Sequence, residues 1–131
     1  MKLMVCYDGQ ESSVATLKVA LEHAKVWNAS LEIVNTFTRQ VPLDHKIVLE
    51  MEQELEASVK AQIGGEGVAY NIQLLITSQD AGEELISFSE EKKIGLIFLG
   101  IVKKSKVNKL IFGSTAQYVI LNAPCPVVAV K

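Results

Sequence analysis

The stretch Ile94-Gly-Leu-Ile-Phe-Leu99-Gly100-Ile-Val-Lys-Lys-Ser-Lys-Val-Asn-Lys-Leu-Ile-Phe112-Gly113-Ser114 decides the fold. A buried-looking run, Ile94 to Leu99, stops at Gly100. A polar loop follows with four lysines, Lys103, Lys104, Lys106 and Lys109. Gly113-Ser114-Thr115 then opens a helix predicted over Ser114 to Leu121. Strand, loop, glycine and helix start in that order suit an anion. The helix start offers unpaired N–H groups and the positive end of the helix dipole. Glycines let backbone N–H groups approach a phosphate with no Cβ in the way.

Upstream, the pattern alternates. Lys2 to Tyr7 reads as a buried strand ending at the turn signal Asp8-Gly9. Val14, Leu17, Leu21 and Ala24 fall on one face of a first helix that Asn28 closes. Leu31 to Phe37 is a second strand. Pro42 to Gln62 is helical, with Ile47, Met51, Leu55, Ser58 and Val59 in one stripe and the glutamates mostly off it. Gly64-Gly65-Glu66-Gly67 ends that helix. Tyr70 to Ile76 alternates as a third strand near a sheet edge. Asp80 caps a third helix that turns Leu85, Ile86 and Phe88 inward. Downstream, Asn122 to Pro126 is a turn and Val127 to Val130 a last strand.

The order is βαβαβαβαβ. Buried strands alternating with amphipathic helices imply a parallel sheet with helices on both faces. Right-handed crossovers leave few topologies. Such open sheets bind ligands beyond the carboxyl ends of their strands, where the winding reverses. Asp8, Thr36 and Gly100 all fall at such ends.

Composition narrows the classes. A chain of 131 residues has the length of one domain, residues 1–131, with a core that needs no disulfide or metal. A net charge of −2 gives no general electrostatic case for nucleic acid. No apolar run approaches the ~20 residues of a membrane span. The start, Met1-Lys2-Leu3-Met4-Val5, reads as a strand and not as a signal peptide, so the expected location is cytoplasmic and no membrane partner is expected. Cys6 and Cys125 lie in apolar strand-like contexts and read as buried reduced thiols. His23 and His45 have no partner spacing for a metal or a catalytic base, and Trp27 reads as a packing residue.

Three segments together resemble the universal stress protein family, and the likeness runs over essentially the whole chain. They are Val5-Cys-Tyr-Asp8-Gly9-Gln-Glu11-Ser-Ser13 with Leu17 and Ala20, then Gly100 with Gly113-Ser114, then Asn122-Ala-Pro-Cys-Pro126-Val-Val-Ala-Val130. The resemblance implies a five-stranded parallel open sheet of order 3-2-1-4-5, Rossmann-like and of the adenine nucleotide alpha hydrolase-like kind. It also implies a homodimer through Val127–Val130. Nucleotide-binding members carry Gly, two residues, Gly, nine residues, then Gly-Ser or Gly-Thr. Here Lys103 stands where the second glycine belongs. Gln10 replaces a frequent serine, and Asn35 a frequent histidine.

The resemblance places Asp8 against the ribose or adenine and the Thr36 backbone against the adenine. Leu99 and Gly100 line the floor, and Gly113, Ser114 and Thr115 hold phosphates. The implied cofactor is ATP or a related adenine nucleotide, with or without magnesium. Lys103 has two readings. It removes the glycine cradle if the backbone there needs positive φ, or its ammonium replaces the lost contact. A solvated basic loop is the plain alternative. Asp8 reads equally as a turn residue bonded to its own backbone, and Ser114 as a helix cap.

Three functions follow from these readings. The first is a nucleotide-binding regulatory module, and the second a homodimeric interaction module of the same family without nucleotide. The third is an enzyme such as an ATPase, which the sequence disfavours. Phosphoryl transfer needs a metal carboxylate, a positioned base and charge stabilisers, and the one arginine, Arg39, lies away from the loop. Slow hydrolysis of a bound nucleotide stays open. A phosphoacceptor receiver domain fails because Asp8 is followed by Gly9 and Ile76 by Thr77.

Overall fold

The computed structural model describes residues 1–101, 103–104, 110–111 and 113–131, with the backbone alone at 103, 104, 110 and 111. In chain order the elements are β1 (Lys2–Cys6), α1 (Glu11–Trp27), β2 (Ser30–Thr38), α2 (His45–Ile63), β3 (Tyr70–Thr77) and α3 (Ala81–Glu91). There follow β4 (Leu96–Gly100), β5 (Lys103–Lys104), β6 (Leu110–Ile111), α4 (Ser114–Asn122) and β7 (Val127–Val130). The main sheet has the order β3-β2-β1-β4-β7 and is parallel throughout. Its fifth strand is β7, so the expected 3-2-1-4-5 order is the order found.

Two cores lie on the two faces. Leu3, Val5, Leu31, Ile33 and Phe98 face α1 and α2 with Leu17, Leu21, Leu55 and Val59. Met4, Val34, Ile97 and Leu99 face α3 and α4 with Leu85, Phe88 and Val119. The strand period of two sends alternate residues to opposite faces. The two-sided burial is why β1 and β4 read as unbroken apolar runs.

Several boundaries differ from the sequence reading. α1 begins at Glu11, ahead of the two serines, and ends at Asn28 in the left-handed conformation, φ 51°. α2 starts at His45, with Asp44 as its cap, three residues beyond Pro42. Its buried residues, Leu55, Val59 and Ile63, lie in its C-terminal half, and Ile47 is 46% exposed. The apolar stripe is therefore longer than the sheet surface that covers it. β2 runs on to Thr38, paired with Thr77, so Thr36 lies inside the strand. β4 omits Ile94 and Gly95. The lysine loop holds a small antiparallel pair, β5 with β6, in which Lys103 stands opposite Ile111 and Lys104 opposite Leu110.

The turn chemistry is local. Gly9, at φ 84°, makes the turn after β1, a conformation that costs any side chain. Among the described residues no helix is long and apolar enough to cross a membrane.

Candidate functional site at the carboxyl ends of the strands

β1 is flanked by β2 on one side and β4 on the other. The chain winds outward through β2 and β3, then returns across β1 to start β4. The winding direction therefore reverses between β1 and β4, and an open α/β sheet leaves a crevice there. The structure has a cleft of about 400 Å³ at this point.

Its floor is a row across the sheet. Cys6 is in register with Val34, and Leu99 completes the row. Leu85 from α3 and Ala116 and Val119 from α4 add apolar walls. The rim is polar, made by Asp8, Ser12, Ser13, Asn35 and Thr36 on one side and Gly113 and Thr115 on the other. An apolar slot with few convergent polar groups at its mouth is the usual form of a small-molecule site.

The helix ends give the rim its electrostatics. α2 and α3 are capped by the side chains of Asp44 and Asp80. α1 and α4 begin at Gln10 and Gly113, and neither has a side-chain cap. Ser12 and Ser13 of the first turn of α1 line the cleft, as do Gly113 and Thr115 at the start of α4. First-turn N–H groups have no partner within their own helix. Both uncapped ends therefore present donors and positive dipole ends to the cleft.

Asp8 has a defined setting. Its Oδ1 accepts from the N–H of Gln10 at 2.8 Å and from Oγ of Ser13 at 2.7 Å. The turn reading of Asp8 is therefore present in the fold, and the same residue also lines the cleft. Behind it, the Tyr7 hydroxyl lies 2.6 Å from Oγ of Ser58 on α2. Cys6 is half-buried in the floor, and burial pushes its thiol up to about 12. It is a neutral thiol at physiological pH, as is Cys125, whose thiol burial also raises.

Six of the residues named from sequence, Asp8, Thr36, Leu99, Gly100, Gly113 and Thr115, line this one cleft. Ser114 is exposed and does not line it. The Lys103 side chain lies outside the described residues, so its contact with a phosphate does too. Cys6, Leu85, Ala116 and Val119 were not singled out for the site. Their signal, apolar residues on inward faces, is the same as that of the core. No residue of 38–47 lines the cleft, so that segment does not cover it here.

His23 is accounted for by packing, and His45 opens α2 in an exposed position. His23 Nδ1 lies 2.9 Å from the carbonyl of Val19, and its ring meets Phe98 and Trp27 edge-on. Trp27 is 47% exposed, so it packs on one side only. Among the described residues, no group of three or more His, Cys, Asp and Glu is placed to hold a metal ion.

The family model described as the universal stress protein family matches residues 1–131. The chain belongs to the universal stress protein family. A universal stress protein from Mycolicibacterium smegmatis is 29% identical over 129 residues, covering 98% of this chain and 96% of that one. The structure of a universal stress protein from Archaeoglobus fulgidus superposes with a TM-score of 0.83 at 28% identity, over 100% of this chain and 98% of that chain. A second A. fulgidus structure, in complex with dAMP, gives a TM-score of 0.78 at 23% identity, over 100% and 98% of the two chains.

Proposed function

We propose that this chain is a small regulatory module that binds an adenine nucleotide in the cleft between β1 and β4. The carrying observation is the division of that cleft into an apolar slot, Val34–Cys6–Leu99, and a rim where two uncapped helix starts meet. A base fits the slot, and a phosphate fits the helix starts. The A. fulgidus structure with dAMP supports the same ligand class. Asp8, the one carboxylate among the described lining residues, faces the sugar, because it repels phosphate and accepts from hydroxyls. The Thr36 backbone meets the base edge. ATP remains within the class. Magnesium would enter with its phosphates, since one carboxylate is a sparse ligand set for that ion.

The role is regulation and not catalysis. The polar groups of the described lining residues are hydroxyls, one amide, one thiol and one carboxylate, short of the metal ligands, base and charge stabilisers that phosphoryl transfer uses. Amide resonances mapped during addition of AMP test the site. Shifts centred on Asp8, Thr36, Gly113 and Thr115 are expected. Shifts elsewhere on the surface, with these unmoved, would refute it.

A second reading concerns assembly. Among the described residues β7 pairs only with β4 and so forms a sheet edge. In α4, the helix that precedes it in the chain, Leu121 is 81% exposed and Ile120 41%. An apolar edge invites pairing with another copy, and we infer a symmetric homodimer through Val127–Val130. Light scattering at micromolar concentration should give twice the chain mass. A monomer there would rule the dimer out. An interaction module that works through this edge without nucleotide is the alternative function, and it would leave the AMP titration flat.

A further inference from the structure

We infer that Ser13 positions the Asp8 carboxylate for the ligand, holding Oδ1 so that Oδ2 is the oxygen that meets a sugar hydroxyl. The ligand part of this inference rests on the nucleotide reading above.

The two residues are linked twice. The backbone N–H of Asp8 donates to Oγ of Ser13 at 3.2 Å, and that hydroxyl donates to Oδ1 of Asp8 at 2.7 Å. The Ser13 Oγ also lies 3.0 Å from the carbonyl oxygen of Gln10, a second acceptor for the same proton. The contact to the carboxylate is shorter, and a bond to a charged acceptor is the stronger of the two. Ser13 is buried, 6% exposed, at the rim of the cleft. Oδ1 also takes the Gln10 N–H at 2.8 Å. Two donors on one oxygen fix the plane of the carboxylate. Among the described residues, Oδ2 takes no hydrogen bond, and Asp8 lines the cleft.

The cleft thus has an acceptor set in place before any ligand arrives. A flexible carboxylate would have to give up rotamer freedom on binding, and a preset one avoids that cost. Ser13 need not touch the ligand to act. Its effect passes through Asp8, which makes it a positioning residue.

The test uses the whole chain and four variants: Ser13→Ala, Ser13→Thr, Asp8→Ala and the Ser13→Ala/Asp8→Ala pair. Side-chain couplings without ligand should show one Asp8 rotamer in the wild type and in Ser13→Thr, and averaging in Ser13→Ala. AMP affinity should fall roughly three- to tenfold in Ser13→Ala, the size of one net hydrogen bond, and return in Ser13→Thr. In the Asp8→Ala background, adding Ser13→Ala should cost nothing further. If Ser13→Ala does not fold, Ser13→Cys keeps the size with only a weak donor and carries the same expectation.

A single Asp8 rotamer in Ser13→Ala would overturn the positioning. So would losses that multiply in the double variant, which mark two independent contacts. A wild type that binds neither AMP nor adenosine would overturn the nucleotide reading and the ligand role with it, and the rotamer measurement would still decide the link between Ser13 and Asp8.

Discussion

Gly100 and Thr16 stand so close that a Cβ on Gly100 would lie 3.0 Å from Oγ1 of Thr16. The carbonyl oxygen of Ser12 would be 3.3 Å away. Thr16 is fully buried, and its hydroxyl already bonds the Ser12 carbonyl at 2.8 Å. The end of β4 is therefore packed against the first turns of α1. Gly100 lets that helix start reach the cleft, whatever it does for a ligand.

Gly100→Ala should cost about 1–3 kcal/mol of stability, the usual range for overpacking a buried contact. Urea unfolding measures it. An unchanged midpoint would show that α1 can shift without cost.

Gly113 is expected to behave in the opposite way. Its φ is −66°, open to any residue, and nothing lies within 4 Å of a Cβ built there. Gly113→Ala should leave stability within about 0.5 kcal/mol. AMP affinity should fall, because the methyl group enters the rim where the phosphate approaches. Equal binding by both proteins would place the phosphate elsewhere.

The bond between Tyr7 and Ser58, at 2.6 Å, ties the end of β1 to α2. Tyr7 is 2% exposed, so its hydroxyl has little water to turn to. Ser58→Ala should cost about 1–3 kcal/mol by leaving that group unpaired. Adding Tyr7→Phe should recover part of the loss. Additive losses in thermal unfolding would show that the two hydroxyls are not coupled.

Asp80 caps α3, its carboxylate accepting from Gly82 at 2.7 Å and Glu83 at 3.4 Å. Asp80→Ala should cost about 1 kcal/mol, as N-cap losses do. Gln10→Ala, at the uncapped start of α1, should be near neutral in the same unfolding measurement.

The legible part of the fold was the part with a period. β1, β2, β4 and β7 were read from apolar runs, and α3 from its Asp80 cap. The β5–β6 pair was not read. Its four residues pair without an alternating pattern or a turn signal between them, and a lysine-rich stretch carries neither. The start of α2 was misplaced because the residues after Pro42 keep a helical spacing, whereas Asp44 supplies the cap.

The site was legible in its punctuation. Asp8-Gly9, Gly100 and Gly113 mark turns that only the fold brings to one cleft. The floor was not, because Cys6, Leu85 and Val119 look like core. The link from Ser13 to Asp8 was also hidden. It spans five residues across a turn whose geometry depends on Gly9 at positive φ.

Cys6 gives a pH dependence. The unfolded thiol has the ordinary value of 9.0, and burial raises the folded one to about 12. Between these values the unfolded chain binds fewer protons than the native one, so stability falls as pH rises. The wild type should lose stability relative to Cys6→Ala from about pH 9 to about 12. Parallel curves for the two proteins would show that the thiol is not shielded.

The most direct measurement is calorimetric titration of nucleotide-stripped protein with AMP, then with ATP in the presence and absence of magnesium. Saturable binding of either nucleotide, weakened in Gly113→Ala, is the expected result. No heat at millimolar nucleotide would contradict a nucleotide site in this cleft and leave the β7 edge as the working surface of the protein.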